Sequence, residues 1–168
     1  MRNFLAMGGD GMRKMVTTLG LAMALVGGMG LAQGPGAKRP IYNETADPKA
    51  AIAAGLAQAK REHKRVILDF GGDWCGDCQV LDIYFHKSPN LELLTKNFVL
   101  VHVWVPETLD KNGDVGLKYG VPITKGVPAL AILDESGKVI YAQRTGQFND
   151  MRHMDPGSVN AFLSRWKG

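Results

Sequence analysis

The chain has 168 residues, 45% of them hydrophobic, with a formal net charge of +4. That is enough for one compact domain. The basic excess forms no Lys/Arg stripe interleaved with aromatics, which speaks against a nucleic-acid partner, and two cysteines cannot build a four-thiolate zinc site.

From Met12 the sequence runs MRKMVTTLGLAMALVGGMGLAQG. Arg13 and Lys14 precede a charge-free stretch, Met15 to Ala32, that ends in the small-x-small pattern Gly30-Leu31-Ala32. This is the layout of a secretory signal peptide over residues 1–32, with cleavage expected after Ala32. An uncleaved membrane anchor is the alternative, because about 18 uncharged residues just span a bilayer. Thr17, Thr18 and interspersed glycines dilute the run, however, and no cysteine follows it to carry a lipid. Export to the periplasm or beyond implies an oxidising compartment, where a cysteine pair forms a disulfide.

Residues 33–46, rich in Gly and Pro, read as a flexible, exposed lead-in, and the domain proper is expected over 47–168. Asp47-Pro48 is an N-cap followed by proline at the first helical position. Ile52, Leu56 and Ala59 then recur at helical spacing to about Glu62. Val66 to Phe70 is a short apolar run typical of a strand buried on both faces, broken by Gly71-Gly72. A helix starts near Cys75 with Val80, Leu81, Tyr84 and Phe85 on its apolar side, and Ser88-Pro89 opens a second. FVLVHVWV, residues 98–105, is the next strand. Residues 106–126 are a long polar connection. Residues 129–133 and 138–144 form a hairpin around Asp134–Gly137, and Ser158 is expected to cap a last helix bearing Val159, Phe162, Leu163 and Trp166. The order α-β-α-α-β-β-β-α predicts one α/β domain whose strands run parallel, then antiparallel.

The cysteines sit in DFGGDWCGDC, residues 69–78. Positions i and i+3 share a helix face, so the two sulfurs reach bonding distance within one turn. The first lies at a helix N-terminus, where free N–H groups and the dipole favour a thiolate. Cys75 is therefore the expected nucleophile and Cys78 the resolving thiol. A structural disulfide closing so short a loop constrains the unfolded chain little. Redox chemistry is the favoured use of the pair, with metal handling and an inert disulfide as alternatives.

DFGGDWCGDC with Gly126-Val127-Pro128 before a strand resembles the thioredoxin superfamily, in particular exported thioredoxin-like proteins, over about residues 48–168. The resemblance implies a central mixed sheet flanked by helices and a protein-disulfide oxidoreductase that needs no cofactor. It implies that Asp69 is a buried carboxylate behind Cys78, accepting its proton directly or through water, and that burial raises such a carboxyl towards neutrality. It also implies that Pro128 is cis and faces the disulfide, that Val127 offers its backbone to substrate, and that Trp74 is a platform beside Cys75. Partners would be the thiols and disulfides of other exported proteins, with a membrane thiol carrier as electron donor if the protein is a reductant. Three features depart from the family pattern. Gly71 stands where many thioredoxins carry an aromatic residue, Asp77 replaces the usual proline, and the connection at 106–126 is longer.

Gly76 and Asp77, between the cysteines, are the expected tuners of the couple. A carboxylate at 77 opposes the Cys75 thiolate, which penalises the reduced form and makes the couple more reducing. The rival function is a copper-handling protein. Cys75 and Cys78 are soft ligands for Cu(I), and Met151-Arg152-His153-Met154 offers further donors on a flexible loop, His153 foremost.

Overall fold

A computed structural model describes residues 38–168; the expected signal peptide and its cleavage point lie outside the described residues. The first helix, α1, spans Pro48–Glu62. Asp47 caps it, its carboxylate accepting from Lys49 N at 2.9 Å, and Pro48 fills the first turn where no N–H is needed. It ends at His63, whose left-handed backbone lets the cap N–H return to Ala59 O.

Strand β1 (Arg65–Gly71) is followed by helices α2 (Gly76–Phe85) and α3 (Asn90–Asn97) and by strand β2 (Phe98–Trp104). Helix α4 (Gly113–Lys118), strands β3 (Ala129–Leu133) and β4 (Val139–Ala142) and helix α5 (Gly157–Trp166) complete the domain. The sheet order is β2-β1-β3-β4, with β1 parallel to β2 and antiparallel to β3, and β3 antiparallel to β4. This strand order, with helices on both faces, is the mixed sheet that the resemblance to thioredoxins implies.

Alternation along the strands sorts the core into two layers. Val66, Leu68 and Phe70 of β1 join Val99, Val101 and Val103 of β2 and Ile52 and Ala59 of α1. Ile67 faces the other way, with Phe98, Leu130 and Ile132, against Leu81 and Phe85 of α2 and Leu163 of α5. Asp69 has the parity of Ile67 and pairs in register with His102. Both polar side chains therefore stand on the sheet face that α2 covers.

Three expectations need correction. The connection at 106–126 is not wholly irregular: it holds α4 and a short 3₁₀ turn at Ile123–Lys125. Gly113 and Gly116 kept this short helix from declaring itself by propensity. Ser158 lies inside α5 and does not cap it. The helix starts after Pro156, and the Asp155 carboxylate just before it accepts from Gly157 N at 2.6 Å. Finally, residues 38–42 of the expected lead-in are not free, whereas 43–46 are exposed. Residues 38–42 lie along the domain, and Tyr42 is buried in its core.

Candidate active site

Strand β1 runs out of the core at Gly71, and the chain turns through Gly72-Asp73-Trp74 to put Cys75 at the N-cap of α2. Trp74 is fixed on the rim, its indole N–H donating to Val105 O at 2.8 Å. The Cys75 sulfur accepts from Cys78 N at 3.1 Å, taking up one of the free N–H groups of the first turn. Cys75 and Cys78 form a disulfide with their Cα atoms 5.3 Å apart. Cys75 is 6% exposed and Cys78 1%. The first sulfur is thus the more accessible, although it is less open than a helix start suggests.

The Val127–Pro128 peptide bond is cis. Cys75 Sγ lies 3.6 Å from the Val127 carbonyl oxygen, which brings this loop directly over the disulfide. Gln143, buried and undetected in the sequence, supports it from behind. Its side chain donates to Pro128 O at 3.2 Å and accepts from Leu130 N at 3.3 Å.

Asp69 is 1% exposed. Its Oδ2 accepts from the Tyr42 hydroxyl at 2.8 Å and lies 3.0 Å from His102 Nδ1, while Oδ1 has no hydrogen-bond partner among the described residues. Burial, reinforced by the charge of Asp69 and the hydrogen bond to it, pushes the Tyr42 hydroxyl well above its ordinary value. For His102, burial alone would lower the pKa. The hydrogen bond and charge from Asp69, aided by Asp82 and Asp73, outweigh it and leave the imidazole raised above 6.5.

Tyr42 comes from the segment read as a free lead-in. Asp73 holds it there, its Oδ1 accepting from Ile41 N at 2.9 Å and Tyr42 N at 3.1 Å. Gln79 both accepts from Arg39 N at 3.0 Å and donates to Arg39 O at 2.9 Å. Arg39 also pairs with buried Asp82 of α2, and Lys38 donates to Trp74 O at 2.8 Å. Residues 38–42 therefore form a strap across the CxxC turn.

Asp77 differs from expectation. It is 7% exposed, and Arg152 engages both its oxygens: the Arg152 backbone N and Nε donate to Oδ1 at 3.0 and 3.1 Å, and Nη2 to Oδ2 at 3.1 Å. The sequence reading set this carboxylate against the Cys75 thiolate without a counter-charge. The structure supplies one, so the net field at Cys75 is the small difference of two opposed charges. The guanidinium also lies 3.9 Å from where a Cβ on Gly76 would stand. Asp77→Asn is expected to leave Arg152 unopposed and shift Cys75 titration to lower pH. Arg152→Gln is expected to shift it to higher pH, each by up to about one pH unit. Thiolate absorbance against pH reads both, and shifts of the same sign in the two variants would overturn this account.

The donors invoked for copper diverge. Met151 is fully buried in the core, and the exposed His153 places Nδ1 2.5 Å from Asp150 Oδ1. The segment is a 3₁₀ turn, Met151–His153, anchored through Arg152 to α2. Among the described residues, no group of three or more His, Cys, Asp or Glu is arranged to hold a metal ion.

A family model described as thioredoxin-like matches residues 47–135. The chain is 30% identical over 118 residues to the thiol:disulfide interchange protein DsbD of Klebsiella pneumoniae, covering 70% of this chain and 18% of that protein. It is 28% identical over 105 residues to the DsbD of Vibrio cholerae, covering 62% of this chain and 17% of that protein. It thus spans less than a fifth of the length of either relative. Among solved structures, a disulphide isomerase from Xylella fastidiosa superposes with a TM-score of 0.71 at 33% identity, over 77% of this chain and 98% of that one. The family match runs from the cap of α1 through the cysteine pair to the β3–β4 turn, more than half of the chain, and on that ground this protein belongs to the thioredoxin-like family.

Proposed function

We propose that this protein is an exported thiol–disulfide oxidoreductase that exchanges disulfides with other proteins, in the reducing direction, through Cys75 and Cys78. The observation that carries the reading is the Cys75–Cys78 disulfide at the N-cap of α2 with the Val127 carbonyl beside it. In the reduced protein the Cys75 thiolate attacks a substrate disulfide, forming a mixed disulfide and releasing one substrate thiolate. Cys78 gives its proton to Asp69 and attacks Cys75 Sγ. The second substrate thiolate leaves as the Cys75–Cys78 bond forms, and two electrons have passed to the substrate. Val127 and Pro128 would offer backbone to the substrate segment, with Trp74 bounding the site.

The relatives' names, thiol:disulfide interchange protein and disulphide isomerase, support the reaction class. The low exposure of both sulfurs supports the reducing direction, because a poorly solvated thiolate costs the reduced form stability and favours the disulfide. A reductant outside the cytoplasm needs a dithiol donor at the membrane to regenerate it. The export reading rests on the layout of residues 1–32.

The test uses the full chain expressed with its N-terminus. Cys78→Ser is expected to accumulate mixed disulfides with exported proteins, and Cys75→Ser is not. The purified wild type should turn over an insulin disulfide when supplied with a dithiol. Intact mass of the exported chain should begin at Gln33. Equal trapping by both variants, or no insulin turnover, would defeat the functional reading; a retained N-terminus would defeat the cleavage after Ala32.

A further inference from the structure

Gly71 is the point where the strap meets the resolving cysteine. A Cβ at this position would stand 2.5 Å from Tyr42 Oη and 2.7 Å from Cys78 Sγ. Hydroxyl and sulfur are thus separated by no more than the sum of those two distances. The strap supplies an aromatic ring beside Gly71, and this ring brings a hydroxyl that donates to Asp69.

We propose, on the redox reading above, that Tyr42 and His102 are positioning residues for the Cys78 proton transfer. They hold Oδ2 of Asp69 from two sides, so that Oδ1 is left as the oxygen that takes the proton. The geometry supports this division. Both protein hydrogen bonds to the carboxylate fall on Oδ2, at 2.8 and 3.0 Å, and the rings of Tyr42 and His102 meet edge-on with centroids 5.1 Å apart. Oδ1, buried, receives none from the described residues. Each donor favours the charged carboxylate over its protonated form.

His102 makes that balance depend on pH. The groups facing it are Asp69 from β1, Tyr42 from the strap, Asp73 from the turn after β1 and Asp82 from α2, the last already paired with Arg39. While the imidazole is protonated, the Asp69 carboxylate sits against a cation, which opposes transfer of the Cys78 proton to it. Once the imidazole is neutral, Nδ1–H still donates but the cation is gone, and Asp69 accepts the Cys78 proton more readily. The resolving step should therefore accelerate as pH rises through the titration of His102, whose own value lies above 6.5.

Reduced full-length protein mixed with an excess of an aromatic disulfide, dithiobis-nitrobenzoate, separates the steps. Attack by Cys75 releases one coloured thiolate and leaves Cys75 joined to the other. Cys78 then loses its proton to Asp69 and attacks Cys75 Sγ, expelling the second thiolate. The two protein thiols are oxidised by two electrons and the reagent is reduced by two. Stopped-flow absorbance should show both phases, and the wild-type second phase should carry an inflection above pH 6.5. Tyr42→Phe should move the second-phase profile to higher pH by roughly one unit, since one hydrogen bond to a charged acceptor is lost. His102→Gln should abolish the inflection. The first phase should stay within about twofold in both, because neither side chain acts on Cys75 in this scheme.

A wild-type second-phase profile in either variant would overturn the proposal, as would equal changes in both phases, which would mean general loosening of the site. A measurement on the wild type is independent of how the variants fold. Carbon NMR of the Asp69 carboxyl should follow the ring titration of His102, and independent titrations would equally overturn it. Absence of any two-phase release would instead remove the redox reading itself, so the two failures look different.

Discussion

Asp69→Asn is expected to slow the closing of the Cys75–Cys78 disulfide by roughly 10²- to 10⁴-fold near neutral pH, the usual contribution of a positioned base, while the first attack by Cys75 keeps its rate. The amide has the shape of the carboxylate but cannot take a proton. The deficit should shrink towards high pH, where thiols ionise without help above about 8.5. The fold should survive, because both native hydrogen bonds to Asp69 fall on one oxygen, which the asparagine carbonyl can replace. Stability against pH gives a second readout. In the wild type the folded pKa of His102 is raised, so its protonation stabilises the fold. That contribution is complete below its ordinary value of 6.5 and is lost as pH rises through the folded value. Without the Asp69 charge, burial of the imidazole is the larger influence and its pKa falls. Asp69→Asn should then lose stability on acidification relative to wild type. Denaturant unfolding near pH 5.5 and pH 8 measures this, with stopped-flow on the same samples for the rate. Unaltered second-phase rates between about pH 6 and 9 would make Asp69 a structural carboxylate only.

What the sequence shows plainly here is whatever a few neighbouring residues decide. Asp47-Pro48 marks the start of α1 because cap and first-turn chemistry involve adjacent residues. The run Val66–Phe70 and the alternation in FVLVHVWV mark β1 and β2, and the spacing of Cys75 and Cys78 places both sulfurs on one turn of α2. The parts of the site that escape notice are all long-range. Tyr42 lies in a Pro/Gly-rich stretch with nothing to mark it as core, and it meets Asp69 across 27 positions. His102 belongs to a visible strand, but only the register that sets it opposite Asp69 turns it from a surface histidine into part of the network. Arg152 reaches Asp77 across 75 positions. Asp77 alone, at the start of a helix, reads as an uncompensated charge, and that reading fails because the counter-charge is supplied by tertiary structure. The same holds for the loop around His153, whose apparently available donors are distributed by packing between the core and an aspartate.

Gly71→Ala should destabilise the oxidised protein by about 1–3 kcal/mol, the usual cost of forcing an extra carbon into a packed site. The backbone at 71 is extended strand that any residue adopts, so the cost arises from space alone. The added methyl meets Tyr42 Oη at 2.5 Å and Cys78 Sγ at 2.7 Å. These neighbours differ in their ability to move. Cys78 is fixed by α2 and by its bond to Cys75, whereas Tyr42 is carried on the strap, which is held by the packing of Tyr42 itself and by separate polar contacts with Asp73, Gln79, Asp82 and Trp74. Tyr42 should therefore give way first, breaking its hydrogen bond to Asp69 and opening residues 38–42 to proteolysis. A double-mutant cycle isolates this. With Tyr42→Ala already in place the methyl has room on one side, and its penalty should fall by at least half, a coupling of about 0.5 kcal/mol or more between residues in contact. The redox step should follow the same logic, because Gly71→Ala then acts as a Tyr42 variant and should shift the second-phase pH profile in the direction of Tyr42→Phe. Additive stabilities in the cycle would show that the methyl is absorbed by Cys78 or the sheet instead, and the gap at position 71 would then have no bearing on how the strap serves the site.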